Sequence, residues 1–426
     1  MNRNMILIED IIDEISMGPF GSDIKVDNFV SKGVPVLNGS NINGVRLSES
    51  FSNFVSKEKA KSLKKANAKR GDIVVTHRGT LGQIAYIPEN SSIEQYVISQ
   101  SQFRVSLNRK LVDPAYFTYY FHTKEGQKRL LSFKSHVGVP ALAQATSNFK
   151  KLEFPLIPLS EQLKVAKILS DLDSKIDLNT KINAELESMA TLIYNYWFAQ
   201  FDFPDVNGKP YKSSGGKMVY DEILKSEIPE GWGCQDLKRL TSLIQRGISP
   251  KYVDNGGIQV LNQKCIRDQK VLFNDARRHG VRLRETDKRL LNITDVLVNS
   301  TGVGTLGRVA FIKRLPEKEI TVDSHVTIVR ANKELILPEY LAWTMMRLQP
   351  LIESAANGST GQVELSKPFL EELKVVVPEI KIQRKFQSLL NPIIKKLANH
   401  EKESERLIKL RDWLLPMLMN GQVTVK

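Results

Sequence analysis

Four blocks of this sequence are written twice in the same order, and a duplication of that extent dictates a fold built from two copies of one unit. VPVLNGSNI at 34–42 answers to IQVLNQKCI at 258–266, and GDIVVTHRGTLGQIAYI at 71–87 answers to TDVLVNSTGVGTLGRVAFI at 294–312. LVDPAYFTYYF at 111–121 matches LILPEYLAWTM at 335–345. GVPALAQATSNFKKLEFPLIP at 138–158 matches GSTGQVELSKPFLEELKVVVP at 358–378. The offsets stay between 220 and 225 residues, so the register holds through each copy. A chain of 426 residues is too long for one hydrophobic core and has room for about two to three domains, which agrees.

Within a copy the signals are mixed. DIVVT, QIAYI, QFRVSL and VTIVRA are short, β-branched or aromatic, and bounded by turn residues, as strands are. The segments beginning PAYFTYYF and PEYLAWTM have helical spacing, each opened by a proline suited to a first turn. The repeated unit is therefore expected to be α+β. The glycines of the 71–87 stretch lack the spacing of a phosphate loop, and Gly79 and Gly82 are expected to shape a tight turn between strands.

Each copy is followed by a long helical segment. Residues 160–201 hold neither Gly nor Pro, while Pro158 and Pro204 stand just outside. Val165, Leu169, Leu172, Ile176, Asn179, Asn183, Leu186, Ala190, Ile193 and Trp197 alternate spacings of four and three, a coiled-coil seam with eight apolar members of ten. Residues 380–418 repeat the pattern less regularly through Phe386, Leu390, Ile393, Leu397, Leu407 and Leu414. Pro392 is expected to kink this helix or lie in its first turns, and Gly421 to end it. The nearest partner for one amphipathic helix is the other. Asn179 and Asn183 fit two readings: buried polar groups that set register, or residues rotated toward water. Between helix and second copy, residues 202–230 carry Pro, Gly and Ser and read as a connection. The layout is 1–159 globular, 160–201 helix, 202–230 linker, 231–378 globular, 379–426 helix.

Composition narrows the function. Cys234 and Cys265 are the only cysteines and form no CxxC pair, so neither a disulfide framework nor a zinc site is expected, and a reducing cytoplasm fits. Acids enter within the first nine residues and no apolar run approaches the ~18 residues of a membrane span, so neither signal peptide nor membrane association is expected. No Walker loop, dinucleotide fingerprint, HExxH, GxSxG or methyltransferase-type NPPY motif occurs, and the histidines are scattered without ligand spacing. The chain is expected to be non-catalytic by itself and to bind no metal or cofactor directly.

What remains is equipment for binding an anion. The net charge is +14, with 21 basic against 14 acidic residues in 1–159 and 23 against 20 in 219–378. The charge is clustered at the same point of both copies, KEKAKSLKKANAKR at 57–70 and RRHGVRLRETDKR at 277–289, as phosphate-neutralising runs would be. Phosphate contacts carry no sequence information, so base-reading side chains are sought in the loops. In the first copy these are Ser22 and Lys25 (18–25), Asn38, Ser40 and Asn41 (38–43), His77, Arg78 and Thr80 (76–80), and His136 and Gln144 (135–144). The second copy offers Arg246 and Lys251 (245–252), Asn262, Lys264 and Arg267 (262–267), Asn299, Ser300 and Thr301 (299–304), and Ser359 and Gln362 (357–362). The loops differ while their scaffold repeats, the pattern of two readers on one fold. A non-catalytic scaffold or RNA-binding clamp is the other reading the residues allow.

GPFGS near the first start, the duplicated 71–87 stretch, IPLSEQLKVAKILSDLDSKIDLN, IPEGW and the closing LRDWLLPMLMNGQV together resemble the specificity subunits of type I restriction-modification systems. The chain departs from the commoner pattern of a double proline before the Glu-Gln pair: one proline precedes Glu161-Gln162, and the second copy, VPEIKIQRK, lacks the acid. The resemblance implies two target-recognition domains separated by two long antiparallel coiled-coil-like helices in a pseudo-twofold arrangement, each domain reading half of a split double-stranded DNA target. It implies two modification subunits carrying S-adenosylmethionine and two restriction subunits using ATP and Mg, to which catalysis belongs. Helix length is then expected to set the number of unread base pairs between half-sites, with domains one or more DNA turns apart, roughly 34 Å or a multiple. Tyr194, Tyr196, Trp197 and Trp413 are candidate contacts to those subunits, ordinary core packing being the other reading of the first three and of Phe198.

Overall fold

The computed structural model describes residues 4–21, 23–135, 139–355 and 364–425. The chain divides into two units, Met1–Asp177 with Ser404–Lys426, and Leu178–Glu403, so each unit owns one stretch of each long helix.

In the first unit, Ile12–Met17, Gln102–Leu107, Ile73–Thr76 and Ile84–Tyr86 lie side by side in that order as an antiparallel sheet. A second sheet orders Phe29–Val30, Phe54–Val55, Val34–Leu37, Gln95–Ile98 and Asn67–Lys69, with Val36 paired in parallel to Val97. Asn4–Leu7 pairs with Glu153–Leu156. Alternation decides which side each residue serves. Ile73 and Val75 enter one core, with the aromatic helix Pro114–Phe121, while Val74 between them enters the other, beneath the second sheet.

The second unit repeats the first sheet strand for strand and the second sheet with four strands in place of five. Thr241–Arg246, Val326–Ala331, Val296–Asn299 and Val309–Phe311 form the first sheet, and Tyr252–Val253, Arg277–His279, Ile258–Leu261 and Ile320–Val322 the second. The parallel pair recurs as Val260 against Thr321, and the closing pair as Gly233–Asp236 against Lys374–Val377. The expected α+β repeat is thus a repeat of connectivity, down to one parallel strand pair in each copy among the described residues.

The helices are Leu159–Tyr194, continued by a wider turn over Asn195–Ala199, and Ile380–Asn420. The second runs as one helix through Pro392, its thirteenth residue, and Gly421 ends it at φ +69°. Within the second unit the two run antiparallel. Asn179 Nδ2 donates to Glu403 at 2.8 Å, and Asn183 Oδ1 lies 2.8 Å from His400 Nδ1. Both asparagines are buried, which settles their two readings in favour of the seam. Within the first unit Arg411 Nη1 meets Asp173 at 2.7 Å, and Leu418 packs with Val165 and Leu169 in one core.

One expectation is corrected. Residues 202–230 are not a plain connection: Phe203 is buried, its ring stacked on Tyr211 and Trp232, and Met218–Asp221 pairs with Ser226–Pro229 as a hairpin. The prolines, glycines and serines that suggested a linker serve its turns, while Phe201, Phe203 and Trp232 supply apolar surface to the second unit's core.

Candidate nucleic-acid interface

Loops from distant parts of the first copy meet at one end of its first sheet. Gly18 N donates to Gln102 O at 2.8 Å, and His77 N to Ser101 O at 2.9 Å. Leu142 N then reaches His77 O at 2.8 Å, and Gly79 N reaches Pro140 O at 2.9 Å. Gln83 closes the set, donating to Gly39 O at 2.9 Å and to Asn43 Oδ1 at 3.2 Å. All four candidate segments, 18–25, 38–43, 76–80 and 135–144, are therefore tied to one edge through their described residues. Gly79 and Gly82 sit at φ +90° and +91°, a left-handed conformation that lets seven residues turn between Thr76 and Ile84.

His77 is half-buried, and that burial pushes its imidazole below its ordinary pKa; the Gln100 carbonyl opposes the shift and the Arg78 charge adds to it. Its Nε2 lies 3.1 Å from the Gln100 carbonyl oxygen, which can only accept, so Nε2 carries the proton and Nδ1 is left as an acceptor.

The second copy assembles the same edge with other residues. Gly247 N bonds Val326 O, Ser300 N bonds His325 O at 2.8 Å, and Leu365 N bonds Ser300 O at 2.9 Å. Asn299 Nδ2 donates to Gln263 O and Thr305 O, both at 3.0 Å, and so holds the loop that Gln83 holds in the first copy. Arg246 pairs with Glu364 and donates to Leu365 O at 3.0 Å, beside an open cavity of about 560 Å³ also lined by Gln245, Thr327, Ser366 and Lys367.

The candidates now separate by what their polar groups are doing. Lys25, Ser40, Arg78, Thr80 and Gln144 are exposed in the first unit, as are Lys251, Lys264 and Arg267 in the second. Asn38 and Asn262 are caps, accepting from Ser40 N at 2.8 Å and Lys264 N at 2.9 Å at the start of matching one-turn helices. Asn41, Asn299 and Ser300 are corrections to the list of base readers. All three are fully buried, Asn41 bonded to the carbonyls of Ser48 and Ser50, Asn299 to those above, and Ser300 to Thr327. Their side chains shape the loops instead of facing a ligand. Thr301 is half-buried with its hydroxyl 2.6 Å from His325 Nδ1. Ser22, His136, Ser359 and Gln362 lie outside the described residues.

In each copy an arginine on a central strand helps to hold the basic segment. Arg104, on a central strand, donates from Nε to Lys65 O at 3.0 Å and pairs with Glu14 and the buried Asp72. Arg330 grips Asp295 with two bonds of 2.7 Å and reaches Lys288 O at 3.2 Å and Leu290 O at 2.8 Å. The second run is partly spent inside the unit: Arg278 is bidentate to Glu317 and Arg289 binds Asp287. Lys57, Lys61 and Lys64 of the first run are exposed.

Sequence reasoning missed the turn that organises each edge, 99–102 and 323–326. The signal was present, a polar Ser-Gln-Ser-Gln and Asp-Ser-His lying just before the matching strands QFRVSL and VTIVRA. Of the docking candidates, Tyr194 and Trp197 are core residues packed on Phe386, whereas Tyr196 and Trp413 are exposed. Among the described residues no helix is long and apolar enough to cross a membrane, and no group of three His, Cys, Asp or Glu could hold a metal ion.

The model of the type I restriction modification DNA specificity domain matches residues 22–188 and again 241–409. The chain is 25% identical over 362 residues to the MjaIX specificity subunit of Methanocaldococcus jannaschii, covering 84% of this chain and 78% of that protein. It is 22% identical to the HindI specificity subunit of Haemophilus influenzae, covering 83% and 87%. The crystal structure of the type I restriction-modification S subunit from M. genitalium superposes with a TM-score of 0.60 at 18% identity, over 98% of this chain and 96% of that one, which shows the shared fold. Matched twice by one family model, over most of each copy and into the helix that follows it, the chain belongs to the type I restriction-modification specificity subunits.

Proposed function

We propose that each unit reads one half of a bipartite double-stranded DNA target through the loop edge of its first sheet, and that the chain itself performs no chemistry. One observation carries this reading: two edges of identical connectivity present different exposed donors and acceptors, Arg78, Thr80 and Gln144 in one and Lys264 and Arg267 in the other. Groups of this kind distinguish base edges, while the exposed lysines at 57–64 supply sequence-independent attraction to phosphate. Methylation and cleavage then fall to modification and restriction subunits, which carry S-adenosylmethionine, ATP and Mg. Tyr196 and Trp413 are the exposed aromatics through which such subunits would be held.

Methylome sequencing of cells with and without the gene tests the proposal. A bipartite methylated motif that disappears with the gene is the expected result. An unchanged methylome, or RNA recovered with the purified chain in place of a methyltransferase, would favour a scaffold or RNA clamp.

A further inference from the structure

Phe20 is 83% exposed, more than any other aromatic side chain among the described residues. Isolated exposed apolar residues are ordinary on protein surfaces. This one is unusual in how firmly its backbone is held. Phe20 N donates to the Asp23 carboxylate and Asp23 N donates back to Phe20 O, both at 2.9 Å. On one side Gly18 lies so close to the 99–102 turn that a Cβ there would fall 2.0 Å from Ser99 O; on the other, a Cβ on Gly21 would fall 2.6 Å from Gln100 Oε1. The segment is pressed onto the turn that also carries His77, and the ring is left in water.

The edge to which its segment is tied also carries exposed Arg78, Thr80 and Gln144, and the exposed Val139 next to the Pro140 that Gly79 binds; Lys25 is exposed on the same loop. In the second unit Gly247 occupies the place of Gly18, 1.9 Å from Val322 O by the same measure, and two residues on stands Ser249. At that position the aromatic belongs to one copy alone; Tyr252, farther along the second unit's loop, lies under Arg277 at 3.4 Å.

Resting on the DNA reading above, we infer that Phe20 is a wedge that enters the base stack of the half-site read by the first unit and partly unstacks one step there. An apolar side chain on a firmly held backbone, at an edge of cations and hydrogen-bonding groups, gains by leaving water for the gap between two bases, and the held backbone lowers the entropy cost of aiming it. Deformability of that step then contributes to specificity without any hydrogen bond to it. The second half-site, facing Ser249, stays stacked.

The test uses the full chain with its modification partner and a duplex that the wild-type assembly selects from a randomised pool, carrying 2-aminopurine at successive positions of both half-sites. Expected, apart from any rise at a base that the modification partner extrudes in both half-sites, is a several-fold fluorescence rise at one step of one half-site alone, lost in Phe20→Ala along with about tenfold of affinity and largely kept in Phe20→Leu. Phe20→Ala binding within twofold of wild type, or keeping the signal, overturns the inference. A wild-type assembly that selects no duplex overturns the DNA reading itself, which is a distinct result.

Discussion

The side-chain amide of Gln162 donates to the carbonyl oxygen of Leu111 at 2.9 Å. The same side chain donates to Ile157 O at 2.8 Å and accepts from Asp113 N at 3.0 Å, so the helix beginning at Leu159 is tied to the loop that starts the aromatic helix Pro114–Phe121. The second copy repeats the device: Gln383 donates to Pro378 O and accepts from Leu337 N, both at 2.8 Å. Both glutamines are buried. Replacing either by Leu strands backbone groups without partners, and each variant is expected to lose about 2–4 kcal/mol in urea unfolding. A loss below about 0.5 kcal/mol at either position would show the ties to be incidental.

Arg330 and Asp295 make a two-bond fork around a carboxylate that is 1% exposed. Arg330→Met leaves that carboxylate buried and unpaired, at an expected cost of about 3–5 kcal/mol. Arg330→Lys keeps the charge but not the fork, so it should recover only part. Because Arg330 also holds the carbonyls of Lys288 and Leu290, trypsin should cut the native variant faster between residues 282 and 289 than the wild type. Unchanged cleavage there would separate the ion pair from the ordering of the basic run.

Exposure predicts which cations meet phosphate. Removing Lys57, Lys61 and Lys64 together should reduce the slope of log Kobs against log salt by about three, near 0.9 per contact. Arg278, bidentate to Glu317 at 2.9 Å, should change it by less than about half a unit when replaced by Ala. Equal effects from the two variants would contradict this assignment.

Tyr119 donates its hydroxyl to Asp173, which also receives Arg411. Burial, with the Asp173 charge and the bond to it, pushes the phenol far above its ordinary value near 10. The folded state therefore keeps a proton that the unfolded chain gives up. The resulting stability is fully present below about pH 10 and declines as pH rises beyond it, at up to about 1.4 kcal/mol per unit. Tyr119→Phe should lower stability by about 1 kcal/mol at pH 7 and flatten the alkaline slope. Unfolding at pH 8, 10 and 11 measures both, and a slope unchanged by the substitution would rule out Tyr119 as its source.

Much of this was legible because duplication, strand patterning and long helices are local or periodic properties. GDIVVTHRGTLGQIAYI announced two paired strands and a turn that needed glycine, and the seam from Val165 to Trp197 announced a helix with one buried face. Gly79, Gly82 and Gly421 took the conformations that their positions in the sequence required. The loops 18–25, 38–43, 76–80 and 135–144 could be picked out by residue type, since turns draw on few residues for known reasons.

The sequence by itself determined that one α+β unit occurs twice, that a long helix follows each, and that basic charge gathers at matching points. Only the tertiary structure decided which polar residues remain free to meet a ligand. Asn41, Asn299 and Ser300 looked no different from Ser40 and Thr301 along the chain, yet burial made their hydrogen bonds obligatory to neighbouring groups. Phe203 and Trp232 likewise turned an apparent linker into core, because apolar surface that finds a partner leaves water wherever the chain brings it. Periodicity reports which face of an element is buried, whereas the fate of a single polar side chain in a loop depends on neighbours that only folding supplies.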